Sequence, residues 1–557
     1  MAPSFKVLIV GAGFGGVTLA VLLERANIDY EIFESAAGVS PLGGAVVLGP
    51  TVMPLLEQLG LLEKVQRISK PIKTIHLVQE NMKRIGEINL SDHKRQTGYD
   101  SLVATRSELL SLLVAQIPTF KIHFSKCVLS FAANKDEVVV RCTDDTSYRG
   151  EILVGADGAF SRIRELLYRQ VAKKGILPRS DAAAVAADAA VASFAAATAL
   201  ANETGATLAL HSHGHHPMDT AESSEAVQQG GRHISLVGVT RPLDSDAFPI
   251  VKGVDSHSHT IIGDRSHYSW SYFTVPGNRI CWAVNMQLND HILQEPQQQP
   301  LRSPSPPLDA PLSPTPSTRS SFSTTSTSSS STATGYPSIA ELGYWESEDA
   351  MTGPLLSRLV SDDCKSFPVP LDNAGNTKGT TTTGTLGDFI DATPKDQIAR
   401  AITEQTLFET WHHGRTVLMG NACHRMISNA AHQGAVDAIQ DAVALGNLIH
   451  GLPSASPENV VNIFKVYQAD RYPHAKTQLH MSNTVGKLMF GKSWTEALMR
   501  VFLVRYMFKI YQHFCDDKIL ADRPQAKFLP MVESRGDVHA LPQRAHKVPE
   551  GEKHLKH

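Results

Sequence analysis

The chain has 557 residues, a hydrophobic share of 42% and a formal net charge of −3. This balance provides no basic field, so we expect no nucleic-acid partner. The six cysteines are scattered, without a C-x-x-C pair or metal-ligand spacing, which favours free thiols in a reducing compartment. The length allows about three or four domains, or a large enzyme with two intertwined domains.

The first informative stretch, Val7 to Glu34, predicts a strand, a glycine turn, a helix and a second strand that ends in an acid. Gly11, Gly13 and Gly16 have G-x-G-x-x-G spacing, and Glu34 follows 18 residues after Gly16. These glycines allow a tight turn, close approach of a pyrophosphate to the backbone and close helix packing, while the acid is placed to bind a ribose. The pattern predicts a bound dinucleotide; a glycine-rich turn without a ligand is the alternative.

Arg106 precedes a predicted helix, Ser107 to Gln116, for which Ser107 is the candidate N-cap. At this entrance Arg106 is placed either to contact a phosphate or ring carbonyl or to lie at the surface. Its position alone does not decide between the two.

Two later segments repeat the arrangement of strand, glycine turn and helix. The second signature runs from Val154 to Arg164 and has Asp157-Gly158 in its turn. In the third, a strand leads to a turn at Gly420 to His424, and a helix, Ala435 to Ile449, starts beside Gly434. A helix that begins there directs its N–H groups and positive dipole end at the loop, which suits an anionic ring system.

Composition divides the rest of the chain. Residues 179–231 are rich in Ala and His, and 296–336 are rich in Ser, Pro and Thr; neither buries enough apolar surface to offset chain entropy, so we expect disorder. We predict no metal site, since a histidine cluster in a polar stretch is usually solvated. The predicted organisation is a dinucleotide-binding domain, first part, at 1–170 with interleaved strands of a second domain at about 72–105. It continues with the insertion 179–231, a β-sheet of the second domain at 232–295, the insertion 296–336 and the remainder of the second domain at 337–400. A further dinucleotide-binding part at 401–450 and C-terminal helices and tail at 451–557 complete it.

The C-terminal part predicts a helix from Asn462 to Arg471, ended by Pro473. Residues 497–511 are apolar but interrupted by Arg500, Arg505 and Lys509, which favours a docked amphipathic helix; peripheral membrane contact is the alternative. The chain shows no apolar run long enough for a membrane span and no signal peptide, so we expect a cytoplasmic protein, with peripheral membrane attachment left open.

Together the three signatures resemble those of the FAD-dependent aromatic hydroxylases, the p-hydroxybenzoate-hydroxylase-like class A flavoprotein monooxygenases, and of the fungal members in particular. The matching motifs are G-x-G-x-x-G with Glu34, G-A-D-G-x-x-S-x-x-R at Gly155 to Arg164, and the third motif at Gly420 to Ala442. The resemblance implies an α/β fold, with a Rossmann-like FAD-binding domain interleaved with a β-sheet substrate domain, plus C-terminal helices.

The resemblance also implies FAD as cofactor and NADPH or NADH as co-substrate. Glu34 would hold the adenosine ribose, Arg106 would contact the flavin cofactor and Asn421 would hold the ribityl chain. Asn421 stands where the family has aspartate and Ser428 where it has proline, and the loop 425–433 is altered. Asn421 keeps a carbonyl acceptor, so its expected cost is about 1 kcal/mol. The residues predicted to bind the cofactor are Gly11, Gly13, Phe14, Gly15, Gly16, Glu34, Arg106, Asp157, Gly158, Asn421, Gly434 and Ala435.

The implied activity is a monooxygenase that uses NAD(P)H and O₂ to hydroxylate or epoxidise a hydrophobic aromatic or polycyclic small molecule through a flavin C4a-hydroperoxide. No catalytic acid or base is assigned, because a structural role is favoured for His424 and His432. Two alternatives are a non-hydroxylating FAD oxidoreductase and an FAD-binding scaffold with impaired catalysis. The substrate, the nicotinamide and the oligomeric state stay open.

Overall fold

The computed structural model describes residues 5–186, 232–263, 268–288, 346–347, 362–371, 383–425, 433–490 and 518–543. The predictions for 187–231, for 296–336 and for 497–511 lie outside these residues. Residues 179–186, at the start of the Ala/His insertion, are helical rather than disordered, and Asp181 there is buried and accepts hydrogen bonds from the Glu409 and Thr410 N–H groups. Within the described part of the chain, no helix combines the length and apolarity needed to cross a membrane.

The described strands, in chain order, are β1 (Lys6–Val10), β2 (Asp29–Phe33), β3 (Ala45–Leu48), β4 (Ser69–Gln79), β5 (Arg84–Asn89), β6 (Leu102–Thr105), β7 (Ile122–His123), β8 (Val128–Ala133), β9 (Val138–Cys142), β10 (Ser147–Gly150), β11 (Ile152–Gly155), β12 (Arg232–Val239), β13 (Ser256–Ile262), β14 (Tyr268–Val275), β15 (Arg279–Leu288), β16 (Glu346–Ser347), β17 (Pro368–Pro370), β18 (Thr383–Thr385), β19 (Ala399–Glu404), β20 (Thr406–Leu407), β21 (His412–His413), β22 (Thr416–Leu418) and β23 (His424–Arg425).

The described α-helices are α1 (Phe14–Arg25), α2 (Met53–Gln58), α3 (Leu62–Arg67), α4 (His93–Thr97), α5 (Arg106–Val114), α6 (Arg162–Lys173), α7 (Asp362–Lys365), α8 (Leu386–Asp391), α9 (Gln433–His450) and α10 (Pro457–Phe490). Short 3₁₀ helices lie at Pro50–Val52, Thr119–Lys121, Pro249–Lys252, Lys395–Gln397 and Gly420–Ala422.

The first sheet has six strands in the order β21-β22-β11-β1-β2-β7. β1 is central and pairs in parallel with β2 and β11, while β21 adds an antiparallel edge. Strands buried on both faces read as continuous apolar runs, and Val7, Leu8 and Ile9 of β1 are fully buried. All three glycine turns follow strands of this sheet, so its carboxyl edge brings the three signatures together.

The second, larger sheet follows the order β16-β19-β12-β15-β14-β13-β4-β6-β3, with β5 paired to β4. It is antiparallel except where β4 runs parallel to β13. Its strands come from both sides of the Ala/His insertion, and β19 crosses residue 400, where the predicted domain boundary lies. The six-stranded Rossmann-like sheet, the larger mixed sheet and the C-terminal helices confirm the α/β architecture predicted above.

Two local predictions were wrong. Helix α5 starts at Arg106, and its N-cap is Thr105, whose side chain accepts a hydrogen bond from the Glu108 N–H; Ser107 therefore lies inside the first turn. Helix α10 continues through Pro473 to Phe490. Its residues on both sides of the proline, among them Phe464 and Leu479, are buried, and this packing offsets the lost hydrogen bond.

Candidate cofactor and substrate site

The first glycine turn is shaped by contacts that admit no side chain. Gly11 has φ +103°, and a Cβ there would lie 2.5 Å from the Ala156 carbonyl oxygen. A Cβ on Gly16 would lie 2.0 Å from the Gly11 oxygen, so Gly16 sets the close packing of α1 on the turn. A Cβ on Gly13 would meet nothing within 4 Å. The backbone at Gly13 is therefore open to a ligand.

Glu34, at the end of β2, is tied to this turn. Its Oε2 accepts a hydrogen bond of 2.7 Å from the Ala12 N–H, and its Oε1 accepts one of 2.9 Å from the Ala36 N–H. The Glu34 carboxylate thus lies beside the glycine turn at the N-terminus of α1. Arg106 also lies near this turn, with its guanidinium carbon 5.8 Å from the centre of the Phe14 ring.

The second turn is organised by Asp157. Its Oδ1 accepts a hydrogen bond of 2.6 Å from the Ser161 hydroxyl, and its Oδ2 accepts one of 3.0 Å from the Ile163 N–H. Ser161 in turn caps α6 by accepting from the Arg164 N–H at 2.9 Å. Burial raises the pKa of Asp157, and the two hydrogen bonds oppose that rise. The Asp157 carboxylate therefore mainly stabilises the conformation of the turn through these hydrogen bonds.

Arg164 joins the second turn to the third. Its guanidinium is buried and donates to the carbonyl oxygens of Ala422, at 3.0 Å, and Ala159, at 2.7 Å. It also lies over the Phe408 ring, 4.3 Å from the centroid. One side chain thereby fixes the distance between two loops that are far apart in sequence.

The third turn rests on a buried carboxylate. Asp441 of α9 accepts hydrogen bonds from the Gly420 N–H at 3.0 Å, from His424 Nε2 at 2.6 Å and from Arg471 Nε at 2.7 Å. Burial disfavours its charge, but the His424 and Arg471 charges outweigh burial and hold the pKa of Asp441 well below its usual range. Burial likewise lowers the pKa of His424, and Asp441 more than offsets this, so the pKa of that histidine is raised.

Cys423, His424 and Asp441 also place possible metal-ligand atoms within 4.8 Å of one another. Both Asp441 oxygens are already engaged by donors, one of them the cation Arg471, which would repel a metal ion. Burial raises the pKa of the Cys423 thiol well above its usual value, so the thiolate that a metal needs is disfavoured. The cluster is an ion-pair network around the third turn.

The three turns open into one cavity of about 440 Å³. Of the residues predicted to bind the cofactor, Gly16 does not line it and packs beneath Gly11 instead. Ser428, His432 and the rest of 426–432 lie outside the described residues. The predicted residues that line the cavity are Gly11, Gly13, Phe14, Gly15, Glu34, Arg106, Asp157, Gly158, Asn421, Gly434 and Ala435.

The lining fits FAD. The open backbone at Gly13 and the N-terminus of α1 provide space and positive potential for a pyrophosphate. Asn421 Oδ1 is buried and finds no hydrogen-bond donor within the described chain, as expected of an acceptor for a ligand hydroxyl. A Cβ built on Gly434, in the first turn of α9, would lie 3.7 Å from this oxygen, so the acceptor lies next to the N-terminus of that helix.

The opposite wall of the cavity comes from the large sheet. Its apolar part includes Val46, Val237 and Phe273. Three polar residues, Ser235, Ser271 and Asn285, interrupt this surface. The sequence interpretation did not single them out, although each lies between two apolar or aromatic neighbours in its strand. It also assigned no role to Asp441, which lies within the third motif, or to Arg471, which lies beyond it.

Comparison with known sequences agrees with this site. A family model described as "FAD binding domain" matches residues 4–230. The FAD-dependent monooxygenase nvfK of Aspergillus novofumigatus is 22% identical over 95% of this chain and 90% of its own length. The FAD-dependent monooxygenase verC1 of Penicillium polonicum is 35% identical over 30% of this chain, a match that spans only 21% of verC1.

Solved structures show the same fold. HpxO of Klebsiella pneumoniae, complexed with FAD and uric acid, superposes with a TM-score of 0.58 at 17% identity, over 93% of this chain and 98% of that chain. CtdE in complex with FAD and its substrate gives a TM-score of 0.55 at 13% identity, over 93% and 99% of the two chains. The cavity lined by the three signatures, the family-model match and the nvfK match over most of both chains identify this chain as an FAD-dependent monooxygenase with an FAD-binding domain.

Proposed function

We propose that this monooxygenase takes electrons from NADPH or NADH and inserts one oxygen atom into a hydrophobic aromatic or polycyclic small molecule, by hydroxylation or epoxidation. The observation that carries the proposal is the division of one cavity into two walls. Three glycine turns and two helix N-termini form one wall, and the mainly apolar face of the large sheet forms the other. A dinucleotide fits the first wall and an apolar ring system fits the second.

The cofactor-binding residues have distinct proposed roles. Glu34 accepts from the adenosine ribose, while the Gly13 backbone and the N-terminus of α1 hold the pyrophosphate. Asn421 accepts from a ribityl hydroxyl. The first turn of α9, at Gly434 and Ala435, directs its positive dipole end toward negative charge that develops on the ring system.

When bound, FAD supplies the chemistry that no side chain performs: two electrons from the nicotinamide reduce O₂, one oxygen atom enters the substrate and the other leaves as water. The chain contributes position and a dry environment. Val46, Val237 and Phe273 exclude water from the substrate side, which strengthens the electrostatic effect of the α9 N-terminus. No side chain is assigned as acid or base.

The test has two stages on purified, FAD-loaded protein. NADPH or NADH is first added without oxygen, and loss of the oxidised-flavin absorbance is followed. A panel of aromatic and polycyclic compounds is then supplied with ¹⁸O₂, and products are analysed by mass spectrometry. We expect nicotinamide-dependent bleaching and one ¹⁸O atom per product molecule. Products that are oxidised but carry no ¹⁸O would replace the proposal with the non-hydroxylating oxidoreductase.

A further inference from the structure

Three polar side chains share the cavity face of the large sheet. Ser235 of β12 is directly opposite Asn285 of β15, and Ser271 of β14 lies diagonally from Asn285 because Ser269 is opposite it. Side chains two residues apart on a strand point to the same face, so all three belong to one patch. All three line the cavity.

The hydrogen bond within this patch does not use all of its hydrogen-bond donors. The Ser235 hydroxyl donates to Asn285 Oδ1 at 2.6 Å, which fixes the orientation of the amide. Asn285 is 7% exposed and Ser271 is 4% exposed. Within the described residues, neither the Asn285 Nδ2 amide nor the Ser271 hydroxyl has a partner. The oriented Asn285 amide and the Ser271 hydroxyl therefore belong to the cavity lining.

The surroundings make these groups selective. Val237, Phe273 and Cys281 line the same wall, and burial raises the pKa of the Cys281 thiol to about 12, so this thiol stays neutral. In an apolar environment an unpaired amide N–H is unfavourable, and a ligand that offers an acceptor removes that penalty. A ligand without an acceptor leaves the amide desolvated and unpaired, so it is rejected.

We propose that Asn285 and Ser271 are specificity-determining residues that select an apolar ring system bearing an oxygen acceptor, such as a ketone carbonyl. Ser235 is the positioning residue that turns the Asn285 amide so that its N–H groups face the ligand. The inference rests on the proposed function, because it takes the sheet face to be the substrate side of the cavity.

The test measures binding by calorimetry on the FAD-loaded protein, with two matched pairs of probes: 1-tetralone with tetralin, and 9-fluorenone with fluorene. Each pair shares a ring skeleton and differs in C=O against CH₂. We expect the ketone to bind about 10-fold more tightly than its hydrocarbon. Equal affinity within both pairs, or binding of neither ketone, would overturn the inference.

Variants locate the effect. Asn285→Leu keeps the approximate size of the side chain and removes its donor, so the ketone preference should fall to about 2-fold or less. Ser271→Ala is a smaller change that tests the inference even if Asn285→Leu does not fold, and it should reduce the preference about threefold. Val237→Ala is the matched control on the same wall: it should weaken both members of a pair alike. A preference that survives both polar substitutions contradicts the inference.

Failure of this inference is distinct from failure of the proposed function. The calorimetric ratio needs no turnover, whereas oxygen insertion is read from ¹⁸O in products. A protein that prefers ketones but inserts no oxygen would retain the specificity patch and lose the proposed reaction. A protein that inserts oxygen and binds both members of each pair equally would retain the proposed reaction and lose the specificity patch.

Discussion

The backbone N–H of Gly420 donates a 3.0 Å hydrogen bond to Asp441 Oδ2, linking the third turn to the helix that follows it. Gly420 has φ +59°, a conformation that suits glycine, and the next residue is Asn421, whose buried side-chain oxygen has no hydrogen-bond donor within the described chain. The same carboxylate pairs with His424 and Arg471. A buried charge network thus sets the position of a proposed cofactor contact without touching the cofactor.

Asp441→Asn should destabilise the protein and weaken FAD binding. The amide keeps the shape of the side chain but leaves the Arg471 cation buried without its counter-ion, which costs about 3–5 kcal/mol. Urea unfolding and the FAD dissociation constant measure the two effects.

The matched control is Asp391→Asn, which removes a surface pair between Asp391 and Lys365. Because Asp391 is 66% exposed, this change should cost no more than about 1 kcal/mol. Equal losses in the two variants would show that the Asp441 charge has no special role.

The His424–Asp441 pair should make stability depend on pH in a defined direction. The folded pKa of His424 is raised, so its contribution is complete below about pH 6.5 and is lost as pH rises through the folded value. The folded pKa of Asp441 is lowered, so its contribution is present above about pH 3.9 and is lost only as pH falls further. The pair therefore stabilises most between about pH 4 and 6.5.

Unfolding free energies of wild type and His424→Gln at pH 5.5, 7 and 9 test this, and their difference should shrink as pH rises. His413→Gln is a control of opposite sign, because burial lowers the pKa of His413 and the histidine form gains relative stability as pH rises. A His424→Gln difference that is constant across the range would exclude the charged pair.

Gly13→Ala and Gly16→Ala should separate cofactor binding from folding. A Cβ on Gly13 meets no atom, and its backbone is extended, so this variant should fold with an unfolding temperature close to wild type. The new methyl group occupies space proposed for the pyrophosphate, so the FAD dissociation constant should rise about 10-fold or more.

The Gly16 methyl group would lie 2.0 Å from the Gly11 oxygen and must push α1 away from the turn, so we expect poor folding. Thermal unfolding and FAD titration on both variants distinguish the two roles. A Gly13→Ala protein with unchanged FAD affinity would place the pyrophosphate elsewhere.

The turn residues of this site could be predicted from sequence because their constraints are local. Gly16 is required by its contact with Gly11 within one strand–turn–helix unit, and the N-terminal helix dipole follows from the same unit. The positive φ of Gly11 is also local, although the atoms nearest to a Gly11 Cβ belong to Ala156 and Asp157 of the second turn. Asp441 could not be assigned a role in this way, since its partners include Arg471 on the next helix. Tertiary structure, not the local sequence pattern, determines which helices pack against each other.

The polar residues of the substrate wall could not be predicted from local sequence either. Ser235 and Asn285 are far apart in the chain and meet only through the register of β12 and β15, which the Ala/His insertion separates from the first half of the fold. The predicted N-cap of α5 was wrong although a cap is a local feature. Thr105 and Ser107 are both hydroxyl residues that suit an N-cap, and the helix begins after the earlier one.

Asn421→Ala should act in opposite directions on the empty and the FAD-bound protein. Without FAD, Asn421 Oδ1 is buried and unpaired within the described structure, so its removal should leave the unfolding temperature of the empty protein unchanged or slightly higher. With FAD, the lost acceptor should raise the dissociation constant about 5-fold to 10-fold, and the FAD-induced rise in unfolding temperature should fall accordingly. Asn421→Asp keeps an acceptor oxygen and is the matched control, for which FAD affinity should stay within about 3-fold of wild type. If alanine and aspartate affect FAD affinity equally, Asn421 does not act through its acceptor.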